Sequence, residues 1–232
     1  MLAVHGIVRN IERADAAHIR ALAGAGVATV HETTRRRGPL RPSIRPARAG
    51  SSVADSAVTV SCQAGDHFMI HAAVEGVREG DMVVMGTTSR STDGMFGELL
   101  ATSSRAAGCA GVYPDADVRD VSELNAMGFP VWCRAVHTQG TVKATPGSVN
   151  VPVVLAGMLV RPGDVVVADD DDGVGVPRDG TEQIADASRQ RLQREEATRE
   201  RLANAELDLD IYGLRERLAD VGVVHQDHGG DA

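Results

Sequence analysis

The sequence predicts a layered α/β domain with a C-terminal helical arm. Three observations predict it. Helix-type and strand-type segments alternate through the middle of the chain. Val-rich strand-type segments then cluster between residues 148 and 177. A long, charged, alanine-rich run follows over residues 180–206. The 232 residues suit one large domain or two small ones. With 43% hydrophobic and 24% charged residues, the chain has the make-up of an ordinary globular protein with a core of useful size. Aromatics are only 3%, so that core falls to Val, Leu, Ile, Ala and Met.

Each element has its own signal. Residues 15–26 read as a helix, with Asp15 as N-cap and Gly24 and Gly26 near its stop. "TTRRRGPLRPSIRPARAG", residues 33–50, holds three prolines and six arginines and reads as a long surface loop. Its Arg35-Arg36-Arg37 cluster is either a solvated loop or a rim facing an anionic substrate. "SSVADSAVTVSC" alternates and is rich in Val, so it is a strand. "DHFMIHAAVEGVR" spaces its apolar residues for a helix capped by Asp66. "GDMVVMG" is a short buried strand, Met95 to Ala107 a helix, and "CAGVY" a strand. "VSELNAMG" is a short helix ended by Gly128, and "FPVWCRAV" another strand. Three or four strands follow, with turns at Gly157, at Pro162-Gly163-Asp164 and in the Asp169–Asp172 run. Residues 180–206 and 210–221 are helices, and the arm, with mixed charge and few apolar residues, looks suited to lying across a neighbour or the surface rather than in a core. The expected organisation is an α/β domain over 1–178, a helical arm over 179–222, and a disordered tail over 223–232.

Several function classes are disfavoured. A net charge of −8 argues against a nucleic-acid surface. The N-terminus has no signal-peptide pattern, and no stretch approaches the eighteen apolar residues of a membrane span; a cytoplasmic protein is expected. Cys62, Cys109 and Cys133 form no CxxC pair and read as buried free thiols. No GxSxG, P-loop or GxGxxG occurs. The Asp169–Asp172 run fails as a calcium loop, because Gly173 at the sixth position puts Ala168 at the first; a turn with Asx-type hydrogen bonds is the expected form. Among the histidines, His225 and His228 sit in the tail, His31 lies beside Glu32, and His67 and His71 share one helix face as packing residues.

One stretch could carry chemistry. "MFGELLATSSRAAGCAGVYPDADVRD" sets Glu98 at the head of a helix and Arg119-Asp120 at its end, with twenty residues between Glu98 and Arg119. A helix N-terminus offers unpaired N–H groups, so the amides of Leu99 and Leu100 could bind a small carboxylate. The following strand would deliver Arg119 and Asp120 at its C-terminal end, where α/β folds bind ligands. An arginine could hold an oxyanion, and Asp120 with Glu98 a hard divalent cation. Spacing alone favours a plainer arrangement, a surface ion pair and an ordinary helix cap.

The segment from "GDMVVMG" through "VYPDADVRD" to "FPVWCRAV" resembles the 4-hydroxy-4-methyl-2-oxoglutarate / 4-carboxy-4-hydroxy-2-oxoadipate aldolase family. That family shares its fold with the regulator of ribonuclease E activity. The resemblance continues through "QGTVKATPGSVNVPVV" and "GDVVVADDDDGV" to "DIYGLR", over roughly residues 5–222. It implies an α-β-β-α layering of the swivelling β/β/α kind. It implies a class II aldolase using Mg²⁺ or Mn²⁺, with Asp120 as direct metal ligand and Glu98 acting through water. Arg119 would bind the pyruvyl oxygens and stabilise the developing enolate. Gly97 and the amides of Leu99 and Leu100 would take the pyruvyl carboxylate. Glu32 and Glu195 (or its neighbour Glu196) would reach the metal from the adjacent subunit of a homotrimer or homohexamer. The substrate would be a small anionic 4-hydroxy-2-oxo acid of aromatic-compound degradation, and oxaloacetate decarboxylation would accompany the cleavage. Lys143, the only lysine, is not required for a Schiff base. Pro114 and Asp117 stand where relatives usually have an aliphatic residue and a glycine. Two other outcomes remain open: a non-catalytic regulator of a ribonuclease E-type enzyme, and recruitment to another enolate-forming reaction in a biosynthetic pathway.

Overall fold

The central sheet of the computed structural model, which describes residues 5–226, is built where β-branched residues are densest. Its strands are β2 (Val53–Cys62), β3 (Met82–Thr87), β5 (Gly111–Pro114), β11 (Val165–Asp169) and β12 (Asp172–Val176). They run in the order β12-β11-β2-β3-β5, and β8 (Ser148–Val149) pairs with β2 off this path. β2, β3 and β5 are parallel, joined through α2 (Phe68–Val74) and α3 (Glu98–Ala106), while β11 and β12 are antiparallel additions.

Side chains alternate across this sheet, and the alternation sets the layers. Met82, Val84, Tyr113, Val166 and Ala168 face one core, with Trp132 and the hairpin of β9 (Val153–Leu155) and β10 (Met158–Val160). On the other face, Val58, Val60, Val83, Met85 and Val112 pack under α2, α3 and α4 (Val121–Met127). Farther along that face, Val165, Val167, Val174 and Val176 pack against α1 (Ala16–Thr33) and Ala185 of α5 (Thr181–Ala203). The result is the expected α/β layering followed by C-terminal helices.

Several local expectations change. α1 starts at Asp15, whose side chain accepts from the Ala17 N–H at 2.7 Å. It does not stop at Gly26 but resumes, because Gly26 takes φ 75° and Asp169 Oδ2 accepts the Val27 N–H at 2.8 Å. Residues 94–96 are not helical. They form β4 (Gly94–Phe96), parallel to β6 (Asp117–Val118), so α3 begins only at Glu98. The strand expected around Trp132 is reduced to β7 (Trp132–Cys133), paired with β1 (Arg45–Pro46) inside the arginine-rich loop. Five strands, not three or four, follow residue 147. α4 ends as expected, with Gly128 at φ 64°.

The four acids 169–172 have separate structural tasks. Asp170 and Asp171 turn the β11–β12 hairpin, and the Asp171 N–H bonds Asp169 Oδ1 at 2.8 Å, the Asx-type bond expected. Asp170 accepts the Gly50 N–H at 2.9 Å. Buried Asp172 accepts a short hydrogen bond from Tyr113 Oη, which ties β12 to β5, the two ends of the strand path. The three cysteines are free and buried, and burial pushes the Cys62 thiol up to about 12.

The chain divides into two compact units, Met1–Arg189 and Gln190–Ala232, with the break inside α5. The second unit holds the rest of α5, then α6 (Asp208–Ile211) and α7 (Leu214–Asp220), separated at Gly213 with φ 62°. Leu202, Leu207 and Tyr212 are exposed there. His228 and the end of the expected tail lie outside the described residues. No described helix is long and apolar enough to cross a membrane.

Candidate active site

The β4–β6 pair brings the two ends of the Glu98–Asp120 stretch together. The Arg119 N–H bonds the Phe96 carbonyl at 2.9 Å, so the residues after β6 lie beside those entering α3. Gly97 is the N-cap of α3, with extended backbone (φ −153°, ψ −170°). Asp120 is the N-cap of α4 and sits in the left-handed region (φ 56°, ψ 38°), a conformation uncommon outside glycine that aspartate tolerates better than most and that recurs at functional sites. That turn swings its carboxylate back over α3. Asp120 Oδ2 accepts the Glu98 N–H at 3.1 Å, and Arg119 Nε stands 3.7 Å from the same oxygen.

Gly97 is needed for this approach. A Cβ there would collide with Asp120 Oδ2 and lie 3.2 Å from Arg119 Cγ. The first helical bond of α3 runs from Ala101 N–H to the Gly97 carbonyl. The Leu99 and Leu100 N–H groups have no acceptor among the described residues, as expected of a helix first turn. Together they make a small anion seat with positive partial charge. The Arg119 and Asp120 side chains are each about two-fifths exposed, so both are open to a solute. Glu98 is partly exposed, and its Oε1 accepts from Thr102 Oγ1 at 2.8 Å.

The structure therefore brings together Gly97, Glu98, Leu99, Leu100, Arg119 and Asp120. It does not bring Glu32 to them within this chain. Glu32 lies in the last turn of α1, which packs on β11 and β12, and its carboxylate pairs with Arg36 at 3.2 Å. Glu195 lies in the second unit and pairs with Arg191 at 2.6 Å, while Glu196 pairs with Arg199.

The donors can be tested against a divalent ion. Among the described residues no three His, Cys, Asp or Glu side chains gather as a ready-made cage. Mg²⁺ does not ask for one: it is commonly held by one or two carboxylates, with water and substrate oxygens completing the shell. Asp120 keeps Oδ1 free while Oδ2 is fixed by the Glu98 N–H, and Glu98 adds a second carboxylate at the head of α3, with Oε2 left over from its bond to Thr102. The donor set fits a hard divalent cation and offers nothing to a thiophilic one.

Two residues noted in the sequence, His67 as a packing residue and Asp117 as a departure from the family pattern, lie near the site. His67 is buried, its Nδ1 within 3.0 Å of Thr141 Oγ1 and its Nε2 without a partner. Burial holds its pKa down, and the charges of His71, Lys143 and Arg119 act the same way against a backbone hydrogen bond at Met95. Asp66 beside it accepts the Ala144 and Thr145 N–H groups at 2.9 and 2.6 Å, which ties the Lys143 loop to the start of α2. Asp117 is buried at 6% exposure with no hydrogen bond to its carboxylate among the described residues. Burial pushes its pKa up, against the opposing pull of His137 and Arg134. A period-2 reading would have placed Asp117 and Arg119 on one face; nothing local marks Asp117 as buried.

Comparison with known proteins bears on this arrangement. The family model RraA-like, described as Aldolase/RraA, matches residues 14–176. A Halalkalibacterium halodurans protein named "Putative 4-hydroxy-4-methyl-2-oxoglutarate aldolase" is 28% identical over 173 residues, covering 75% of this chain and 82% of that one. An Albidiferax ferrireducens protein of the same name is 34% identical over 122 residues, 49% of this chain and 70% of its own. Among solved structures, Streptomyces coelicolor RraAS2, titled an unusual member of the RNase ES inhibitor RraA protein family, superimposes with a TM-score of 0.74. It is 29% identical, and the match covers 82% of this chain and 99% of that one.

Proposed function

The chain belongs to the RraA-like, Aldolase/RraA family, and from that premise we propose that it is a divalent-metal-dependent aldolase. It cleaves a 4-hydroxy-2-oxo acid of the 4-carboxy-4-hydroxy-2-oxoadipate or 4-hydroxy-4-methyl-2-oxoglutarate type and releases pyruvate. The observation that carries the reading is the Asp120 carboxylate, held in a left-handed turn over the N-terminus of α3, with Arg119 beside it and Gly97 making room. A purely structural helix cap has no need of the strain or of the half-exposed arginine.

Asp120 and Glu98 would hold Mg²⁺ or Mn²⁺, which acts as a Lewis acid on the 2-oxo acid when bound. The Leu99 and Leu100 N–H groups orient the pyruvyl carboxylate at the positive end of α3. The Arg119 guanidinium binds the 2-oxo oxygen, where negative charge grows as the C3–C4 bond breaks. A base takes the C4 hydroxyl proton, so that the C4 carbon leaves as a carbonyl and C3 keeps the electron pair as the pyruvate enolate. Protonation of C3 then gives pyruvate. Loss of CO₂ from oxaloacetate produces the same enolate, so that decarboxylation accompanies the aldol activity. Glu32 and Glu195 are assigned to a neighbouring subunit of a trimer or hexamer, where they would add negative charge around the ion.

Continuous detection of pyruvate tests the reading. Release from the tricarboxylic substrate should require added Mg²⁺ or Mn²⁺, stop with EDTA, and be lost in Asp120→Ala. Release indifferent to both chelator and mutation refutes it. The likeness to RraAS2 favours a second reading, a non-catalytic inhibitor of an RNase E-type enzyme. Capture of such a ribonuclease by the protein, without metal-dependent turnover, would establish that one instead.

A further inference from the structure

Beside the pyruvyl site lies a cavity of about 320 Å³ lined by Ser43, Arg90, Ser91, Thr92, Asp117 and Arg134. One wall is Asp117, a largely buried residue whose carboxylate accepts no hydrogen bond among the described residues. Its two cations differ. Arg134 is committed, pairing with Asp115 and donating to Ser43 Oγ at 3.1 Å. Arg90 is exposed and forms no ion pair among the described residues. One carboxyl group and one guanidinium thus face this space with bonding capacity left over.

The cavity shares a strand face with Arg119. Gly94 pairs in register with Asp117 on the parallel strand, and parallel partners face the same side. A Cβ on Gly94 would lie 3.1 Å from Arg119 Cβ, so Asp117, Gly94 and Arg119 share one face. Two residues of extended strand advance roughly 6.6 Å, comparable to the reach from the head of a 2-oxo acid to its C4 substituents. Arg90 also lines a second cavity with Asp93 and Gln139. Gln139 adjoins Gly140, whose Cβ would stand 3.6 Å from Arg119 Nη1.

We propose that Arg90 and Asp117 form a subsite for the half of the substrate that leaves as the carbonyl product, with Arg90 binding a carboxylate on that half and Asp117 hydrogen-bonding the C4 hydroxyl. The assignment rests on the aldolase reading for the substrate's name, and it deepens that reading. It makes the chain selective for aldol substrates carrying both a hydroxyl and a carboxylate beyond C3. The subsite accounts for the bonding groups that the pyruvyl site leaves unused.

Kinetics of Arg90→Ala and Asp117→Ala on 4-carboxy-4-hydroxy-2-oxoadipate test it, with oxalate as a probe of the pyruvyl half alone. The expected result is a KM raised about 10- to 100-fold, as for loss of a charged hydrogen bond, with the inhibition constant of oxalate unchanged. Asp117→Asn, which keeps a carbonyl acceptor, should recover most of the Asp117→Ala loss, whereas a fold defect would not follow acceptor chemistry. If the wild type releases pyruvate and neither alanine variant changes KM, the subsite is overturned and the aldolase reading stands. If the wild type releases none, the aldolase reading falls, and calorimetric titration with tricarballylate in Mg²⁺ decides the subsite. Weaker tricarballylate binding in Arg90→Ala, with oxalate binding intact, supports it; equal binding in the two proteins overturns it.

Discussion

Replacing Gly97 by alanine separates the site from the scaffold. The Gly97 backbone is extended, a conformation alanine adopts without strain, so the helix loses only the modest N-cap preference for glycine over alanine, about 1 kcal/mol. The added Cβ instead collides with Asp120 Oδ2 and comes within 3.3 Å of Asp120 Cγ. The obstacle is the end of a side chain, so Asp120 can rotate away and the fold can adapt. Rotation breaks the 3.1 Å bond from the Glu98 N–H. A hydrogen bond to a charged group contributes about 1.5–3 kcal/mol, and a shift of about 1 Å in a catalytic group costs on the order of 100-fold. Because the Asp120 side chain is about two-fifths exposed, little of that bond contributes to global stability. Gly97→Ala should therefore melt within a few degrees of the wild type, yet lose about 10- to 100-fold in kcat/KM for pyruvate release and bind Mn²⁺ more weakly. Calorimetry, a coupled pyruvate assay and Mn²⁺ titration read the three quantities. Gly140→Ala is the control, since its Cβ meets Arg119 Nη1 at an ordinary 3.6 Å. A Gly97→Ala enzyme with wild-type kcat/KM and Mn²⁺ affinity would refute the placement of Asp120 as the ion's ligand.

Other outcomes follow from the same geometry. Arg119→Lys keeps the charge but loses the planar fork; kcat should fall about 100-fold or more while Mn²⁺ binding holds, read by the same two assays. Burial pushes the Asp55 carboxyl up to about 6, with Asp81 nearby adding to the rise. A folded pKa above the unfolded one favours the folded state at low pH, and that contribution disappears as pH rises from about 4 to about 6. Asp55→Asn should therefore raise stability at pH 7.5 and leave it nearly unchanged at pH 3.5. The gain is about 1–2 kcal/mol once the partial exposure of the group is discounted, measurable by urea unfolding at the two pH values. Tyr113→Phe removes the hydroxyl that bonds buried Asp172 between the ends of the sheet path and should cost about 1–3 kcal/mol, with a fall in Tm of several degrees.

The sequence by itself determined the repeating parts of this protein. Val-rich alternation marked β2, a short apolar run marked β3, Asp15 marked the start of α1, and Gly128 the end of α4, because local patterns and caps report on contacts within a few residues. Resemblance, rather than spacing, singled out Glu98, Arg119 and Asp120. Tertiary structure decided what depends on partners far along the chain. Residues 95 and 96 left the expected helix to pair, with Gly94, against 117–118, since a ladder with a distant strand outweighs a local helical preference. The run of four aspartates became separate ties to Val27, Gly50 and Tyr113, which no window around residue 170 contains. The turn that brings Asp120 onto Glu98, and the burial that leaves Asp117 without a partner beside Arg90, likewise depend on where β4, β6 and the 134–140 segment meet. A carboxylate's role is set by what surrounds it, and its sequence neighbours supply only a small part of those surroundings.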